Sequence, residues 1–270
     1  MKWVTGFLLW QLQKQQNRSR KMHWFYVKHS QITEKQIYIT GEDVNHIKNV
    51  LRMNKGEKIV ICDGEGKDYY CSISDIDKSQ VVADILEIND TETELPVKIY
   101  LFQGLPKKDK MELIIQKAVE LGVYEIIPVS MKRCVAKIED KKKEQKKLER
   151  WQAISTSAAK QSGRGIIPTV QGMLSFSDAL KKAAQLDCAI VPYEQATNIA
   201  NSYDTIKKVC KCKSIGIFIG PEGGFDDGEI EKALEAGFQT VTLGKRILRT
   251  ETAGLTMLSI LMFEIEMQSE

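Results

Sequence analysis

Near Leu95 the chain changes its hydrophobic rhythm, and that change limits what it can fold into. From Met22 to about Ile88 the apolar residues come in short runs: Trp24–Val27, Gln36–Ile39, Lys58–Cys62, Tyr69–Ser74 and Val81–Ile88. They are rich in β-branched and aromatic side chains, and turn clusters such as Asp63-Gly64-Glu65-Gly66 separate them, which is the pattern of strands. One helical stretch interrupts them, Glu42–Leu51, with Val44, Ile47, Val50 and Leu51 on a common face. These signals predict a small β-barrel over residues 22–94, ending in the polar linker Asn89–Glu94. Beyond it, strands alternate with helices. Val97–Phe102, Val123–Val129, Ala189–Val191, Ile215–Ile219 and Thr240–Leu243 read as strands; about Lys110–Leu121, Asp140–Gln161, Asp226–Gly237 and Thr252–Glu266 read as helices. Asp109 with Glu112, and Asp226 with Glu229, have capping-box spacing. The expectation for residues 95–270 is an α/β domain with a mostly parallel sheet.

Charge and residue usage narrow the chemistry. Residues 1–21 hold Lys2, Lys14, Arg18, Arg20 and Lys21 and no acid, which leaves 34 basic and 36 acidic residues in the rest of the chain. A nucleic-acid partner would therefore be met by local patches, not by a global field. The short apolar stretch Trp3–Trp10 imitates the front of a signal peptide, yet no small-residue cleavage site follows it. A loose basic extension, with the folded protein opening near Met22, is the expectation for 1–21. No apolar run reaches the roughly 18 residues of a membrane span, and the six cysteines form no CxxC pair. Both features predict a cytoplasmic protein with reduced thiols. Histidine occurs only at His23, His29 and His46, and HExxH, GxSxG and GxxxxGK[ST] are all missing. Zinc hydrolase, serine hydrolase and P-loop readings fall away, and no metal site is expected.

Two loops carry what chemistry remains. Gly220-Pro221-Glu222-Gly223-Gly224-Phe225 directly follows an apolar strand and precedes a capped helix. A glycine-rich turn there lets backbone approach a ligand at the edge where open α/β sheets bind them. Leu243-Gly244-Lys245-Arg246-Ile247-Leu248-Arg249-Thr250-Glu251-Thr252-Ala253 links the last strand to the last helix. Ile247 and Leu248 must line a pocket or pack beneath the loop. Arg246 and Arg249 bring cations, and Thr250 and Thr252 are hydroxyls suited to a helix start.

Together these motifs, GPEGGF and then LGKRILRTETA about twenty residues on, resemble the RsmE-type ribosomal RNA methyltransferases of the SPOUT superfamily. The likeness runs from Met22 nearly to the C-terminus, through GEDVNHIKNVLRM, GLPKKDKMELIIQKAVELGVYEIIPVSMKRCVAK and RWQAISTSAAKQSGR. It implies a PUA-like RNA-binding domain before a trefoil-knotted SPOUT domain, a homodimer, and methylation of uridine N3 in 16S rRNA of the small subunit with S-adenosylmethionine as donor. Relatives often carry paired histidines in the early helix; here the pair is Asn45-His46, so His46 alone has an imidazole.

By the same resemblance the donor would lie among Pro192, Tyr193, Gly220, Pro221, Glu222, Gly223, Gly224, Leu243, Gly244, Ile247, Leu248, Thr252 and Ala253. Arg249 ranks first as a catalytic residue, with Glu222 or Glu251 as a candidate base and that assignment left open. RNA contacts would come from His46, Lys48 and Arg52, then from Arg133, Gln161 and Arg164. The basic run Lys137–Arg150 reads as a solvated helix face or an RNA-backbone contact. The apolar last helix reads as domain core or as a dimer interface. Two other readings stay open: a SPOUT enzyme acting on tRNA or a ribose hydroxyl, and an RNA-binding assembly factor without transfer activity.

Overall fold

The computed structural model describes residues 22–135, 140–196 and 198–269. The expected extension, 1–21, and the start of the basic run at Lys137 lie outside these. The chain divides between Glu92 and Thr93 into two compact units.

The first unit is a five-stranded sheet built from β1 (His23–Tyr26), β2 (Gln36–Thr40), β3 (Lys58–Cys62), β4 (Lys67–Ile76) and β5 (Gln80–Asp90). Its order is β1-β3-β4-β5-β2, antiparallel except for the parallel pair of β1 and β3. The alternation read in the sequence places Phe25, Ile37, Ile39, Ile59, Ile61, Ile73 and Val81 on its inner face, where all are buried. The helical stretch is shorter and less regular than expected. α1 (Glu42–Asn45) passes at once into a π-turn, His46–Val50; Val44 and Ile47 are buried in the core and Leu51 packs partly against it, while Val50 stands exposed.

The second unit is a seven-stranded sheet in which every pair is parallel. It comprises β6 (Lys98–Gly104), β7 (Glu125–Ser130), β8 (Thr169–Val170), β9 (Leu174–Ser175), β10 (Cys188–Pro192), β11 (Ser214–Ile219) and β12 (Gln239–Val241), in the order β12-β10-β11-β6-β7-β8, with β9 also on β7. The helices are α2 (Lys110–Glu120), α3 (Lys141–Ser162), α4 (Phe176–Ala183), α5 (Ile199–Val209), α6 (Asp227–Glu235) and α7 (Thr250–Ser269). Strands buried on both faces must be apolar throughout, and Ile215–Ile219 is buried from end to end. Phe218 stacks on Phe102 with ring centroids 4.4 Å apart, joining β11 to β6 at the centre of the core.

Caps explain several boundaries. The Asp226–Glu229 capping box forms at the start of α6, and Gly122, at φ +86°, ends α2. Asp109 makes no side-chain cap on α2: its backbone, at φ −88° and ψ 9°, is not in the extended conformation of a capping residue, and Glu112 pairs with Arg150 at 2.8 Å. The sequence reading left α4 and α5 unassigned, along with the two-residue strands β8 and β9, and it started α7 two residues late. Met257, Leu258, Leu261 and Ile265 bury one stripe of α7; Ile260, Phe263 and Met267 stay exposed on another. Among the described residues no helix is long and apolar enough to cross a membrane.

Candidate active site

The glycine loop begins where β11 leaves the core. A Cβ on Gly220 would lie 3.1 Å from the Gly224 carbonyl carbon, so a side chain there would push on the loop where it folds back on itself. The turn is closed by the Gly224 N–H donating to the Pro221 carbonyl at 2.9 Å. Beneath it, Gly104 ends β6 so close that an added Cβ would sit 2.7 Å from the Pro221 nitrogen. A buried relay fixes the loop from the other side: the Thr250 hydroxyl donates to the Gly220 carbonyl (2.6 Å) and accepts from Gln103 Nε2 (2.8 Å), which also donates to the Gly104 carbonyl (3.0 Å). Gln103 is fully buried and was missed in the sequence, where its only signal is one amide directly after the apolar run Ile99–Phe102.

Above this floor is a cavity of about 430 Å³, within the range of small-molecule sites. The end of β10 contributes Pro192 and Tyr193, the glycine loop contributes Gly220 through Gly224, and the loop before α7 contributes Leu243, Gly244, Ile247, Leu248 and Arg249. Ala253, on the first turn of α7, also reaches it. Thr252 does not; it is exposed on the other side of the helix start, because a helix turns successive residues to different faces. Lys110 and Thr242 also line the cavity, and so does Thr250, which the sequence marked only as a hydroxyl suited to a helix start. Ile247 is 85% exposed, so this apolar side chain is not packed beneath its loop but stands at the cavity mouth.

Lys110 organises the charges at the rim. Its ammonium lies 3.2 Å from Glu222 Oε1 and 3.2 Å from Glu251 Oε2, and Glu222 Oε1 also accepts the Lys107 N–H at 3.0 Å. Burial pushes the Glu222 carboxyl up, but the hydrogen bonds from the Lys107 and Glu222 backbone amides and from Lys110 outweigh it and hold the carboxyl below its usual range. Hydrogen bonding to Glu251, and then to Glu222, raises Lys110 despite partial desolvation. The two carboxylates expected as candidate bases are thus both tied to one ammonium, and the lowered Glu222 is a weak base. Because its folded pKa is depressed, Glu222 contributes stability above the unfolded value of about 4.3 and loses it as pH falls through the folded value. Acidification from pH 6 through that folded value should therefore loosen the glycine loop, and Glu222→Gln should remove that part of the melting-temperature change. An identical acid profile in the variant would contradict the clamp.

The residues expected on RNA divide into three groups. His46, Lys48 and Arg52 are exposed on the π-turn of the first unit and just after it. Arg133 reaches the glycine loop itself, its Nη1 donating to the Gly223 carbonyl at 3.3 Å. Gln161 is exposed at the C-terminal end of α3. Arg164 corrects the sequence reading. It is 4% exposed, pairs with Glu94, and donates to the Val119 (3.1 Å) and Val123 (2.5 Å) carbonyls, so it bolts the end of α2 to the loop after α3.

Comparison with known proteins agrees with this arrangement. An RNA methyltransferase domain model matches residues 93–262, and an RNA methyltransferase PUA domain model matches residues 39–86. Over 232 residues the chain is 40% identical to the ribosomal RNA small subunit methyltransferase E of Bacillus subtilis, covering 85% of this chain and 90% of that one. The chain belongs to the ribosomal RNA small subunit methyltransferase E family. The member from Mesomycoplasma hyopneumoniae is 35% identical, over 88% of this chain and 98% of its own. The crystal structure of the methyltransferase E of Neisseria gonorrhoeae bound to S-adenosyl methionine superposes with a TM-score of 0.73 at 35% identity, covering 88% and 95% of the two chains. The parallel sheet, with the start of α7 returning beneath the β11 loop, is the SPOUT architecture of this family.

Proposed function

We propose that this chain transfers the methyl group of S-adenosylmethionine to N3 of a uridine in 16S rRNA. The observation that carries the reading is the cavity itself: a glycine loop that offers backbone amides and carbonyls, walled by Leu243–Leu248 and flanked by Arg249.

The residues fit the donor. Gly220, Gly244 and Leu248 present backbone groups able to read an adenine and ribose without side-chain charge, and the exposed Ile247 supplies an apolar cover for the ring. The bound sulfonium supplies an electrophilic methyl group. The chain's own task is to position the uracil for in-line approach and to ease loss of the N3 proton, and positioning is a large part of such a barrier. Arg249 stands where the first helical hydrogen bond of α7 forms, with its carbonyl accepting the Ala253 N–H at 2.8 Å. A cation is disfavoured at the positive end of a helix, so stability gives no reason for an arginine there. Anionic charge on the uracil oxygens does, and Arg249 would stabilise it as N3 deprotonates. With Glu222 and Glu251 held by Lys110, neither is a free base; the N3 proton would pass to solvent water, with Arg249 lowering the cost of that loss by stabilising the uracil anion.

The exposed stripe Ile260, Phe263 and Met267 on α7 supports a homodimer, and a monomer in sedimentation equilibrium would remove that part of the reading. The substrate would place the activity in the cytoplasm.

The test is methyl transfer from labelled S-adenosylmethionine to small subunits lacking uridine methylation, followed by nucleoside mapping. Label should appear in N3-methyluridine. Arg249→Ala should lower kcat about 100- to 1,000-fold with donor affinity within about threefold. Label in another nucleoside would sink the uridine assignment, and no donor binding would favour an RNA-binding factor without transfer.

A further inference from the structure

α2 and α3 lie side by side and run in the same direction. Arg150 meets Glu112 at 2.8 Å near the start of α2, and Ile154, Ser157 and Gln161 face Gln116 and Glu120 further along. Both helices follow strands of the parallel sheet, so their N-termini lie at its C-terminal edge, the edge that carries the cavity. Glu144 sets the level: its Oε1 accepts the Met173 N–H at 3.2 Å, next to β9, which pairs with the last residues of β7. Residues 141–149 therefore extend roughly 13 Å, at ~1.5 Å per residue, upstream of the point where Arg150 meets the first turn of α2. The first turn of α3 thus stands at the C-terminal edge of the sheet, beside β7 and β9, with β6 between these strands and the β11 loop.

What residues 141–149 carry there is charge. Lys141, Lys142, Lys143, Lys146 and Lys147 are all exposed, and among the described residues none of them is in an ion pair. Among the described residues the nearby acids are engaged elsewhere: Asp140 caps the Lys142 N–H, Glu144 holds Met173, and Glu149 accepts from Gln145. Three successive lysines in a first helical turn oppose the helix dipole, so they weaken the helix that bears them. The exposed face has no apolar anchor either, since Leu148 is turned inward against the core. A protein partner would require such an anchor; a polyanionic backbone requires only the charges.

We propose that this lysine ridge holds the phosphate backbone of the RNA strand leading into the cavity. The inference rests on the proposed action on rRNA, and it places a substrate contact in the catalytic unit, distinct from the PUA unit. The C-terminal end of α3, where Gln161 and Arg164 lie, is at the opposite edge of the sheet.

The test is equilibrium binding of 16S rRNA and of small subunits to the full chain, with and without the substitutions Lys142→Gln, Lys143→Gln, Lys146→Gln and Lys147→Gln together. Affinity at physiological salt should fall at least tenfold, and the slope of log affinity against log salt should become shallower by about 3, at ~0.7–0.9 per phosphate contact. S-adenosylmethionine affinity should hold, and the melting temperature should hold or rise, because charge opposing the dipole has been removed. The matching set of four arginines should keep wild-type affinity. Unchanged RNA affinity and salt slope in the glutamine variant would overturn the ridge, as would a wild-type chain that binds neither RNA. Wild-type RNA binding without methyl transfer would count against the proposed reaction and leave the ridge standing.

Discussion

Gly104→Ala is expected to lower kcat/KM about 100-fold while leaving the chain folded. The new Cβ would meet the Pro221 nitrogen at 2.7 Å, Pro221 Cδ at 2.8 Å and the Gly220 carbonyl carbon at 3.0 Å. Two of these three are backbone atoms, so no rotamer change relieves the contact. To reach the 3.4 Å where ordinary contact begins, either the glycine loop or the end of β6 must shift by several tenths of an ångström. The same loop forms the cavity floor, and displacements approaching 1 Å at a reacting centre cost about 100-fold in rate. The stability loss should be about 1–3 kcal/mol, the usual range for overpacking, which a folded domain survives. Steady-state methyl transfer and calorimetric donor titration check both figures. Gly172→Ala is the control: its Cβ would come no nearer than 4.0 Å to anything, at Glu144 Oε1, and it should be silent. A Gly104→Ala enzyme within threefold of wild type would show that the loop is not pressed against β6.

Arg164→Ala is expected to cost about 3–5 kcal/mol of stability and to leave RNA affinity of the folded protein unchanged. The guanidinium is buried and saturates Glu94 as well as two backbone carbonyls at the end of α2. Removing it strands the Glu94 carboxylate, which is only 14% exposed at its side chain, and leaves the Val119 and Val123 carbonyls without this donor. An unmatched buried charge, with polar groups around it left unpaired, is among the few single changes that reach this size. Urea unfolding followed by circular dichroism measures the loss, and rRNA binding in dilute buffer measures the rest. A variant of nearly native stability that binds RNA tenfold more weakly would restore Arg164 to the RNA face. The contrast with the ridge on α3 is sharp: Lys142 through Lys147 should move RNA affinity and not stability, Arg164 the reverse.

That contrast shows where reading the residues reaches its limit. In sequence, Arg164 is an arginine between glycines after a basic helix, which looks like a surface charge. Only the packing of residues 93–95 against the ends of α2 and α3 turns it inward. Asp109 likewise had the spacing of a cap, but its backbone does not take the extended conformation a cap needs, and Glu112 pairs instead with Arg150, 38 residues away on α3. The Asp226–Glu229 box formed although Lys132 engages both members, because Glu229 offers Oε1 to the Lys132 N–H and keeps Oε2 for the Asp226 N–H. α4 and α5 went unassigned because their apolar faces are short, while Ser175 and Asn198 cap them through local hydrogen bonds that are visible only with the backbone in place.

Local chemistry was legible from residue order alone. Alternation of period two, helical spacing, the run of β-branched residues in β11 and the glycines that must follow it are constraints between near neighbours, and they carry over into any compact fold. From them came all the strands but β8 and β9, most helices, the two loops and the family likeness. The joining of those loops was not a local matter. Gln103 meets Thr250 across 147 residues of chain, and Lys110 meets Glu222 and Glu251 across more than a hundred each. Hydrogen bonds and ion pairs of that kind depend on angles and distances that no spacing encodes; they exist once β6 lies beside β11 and α7 returns beneath the loop. The motifs named the walls of the cavity, and the fold decided which charges face one another across its rim.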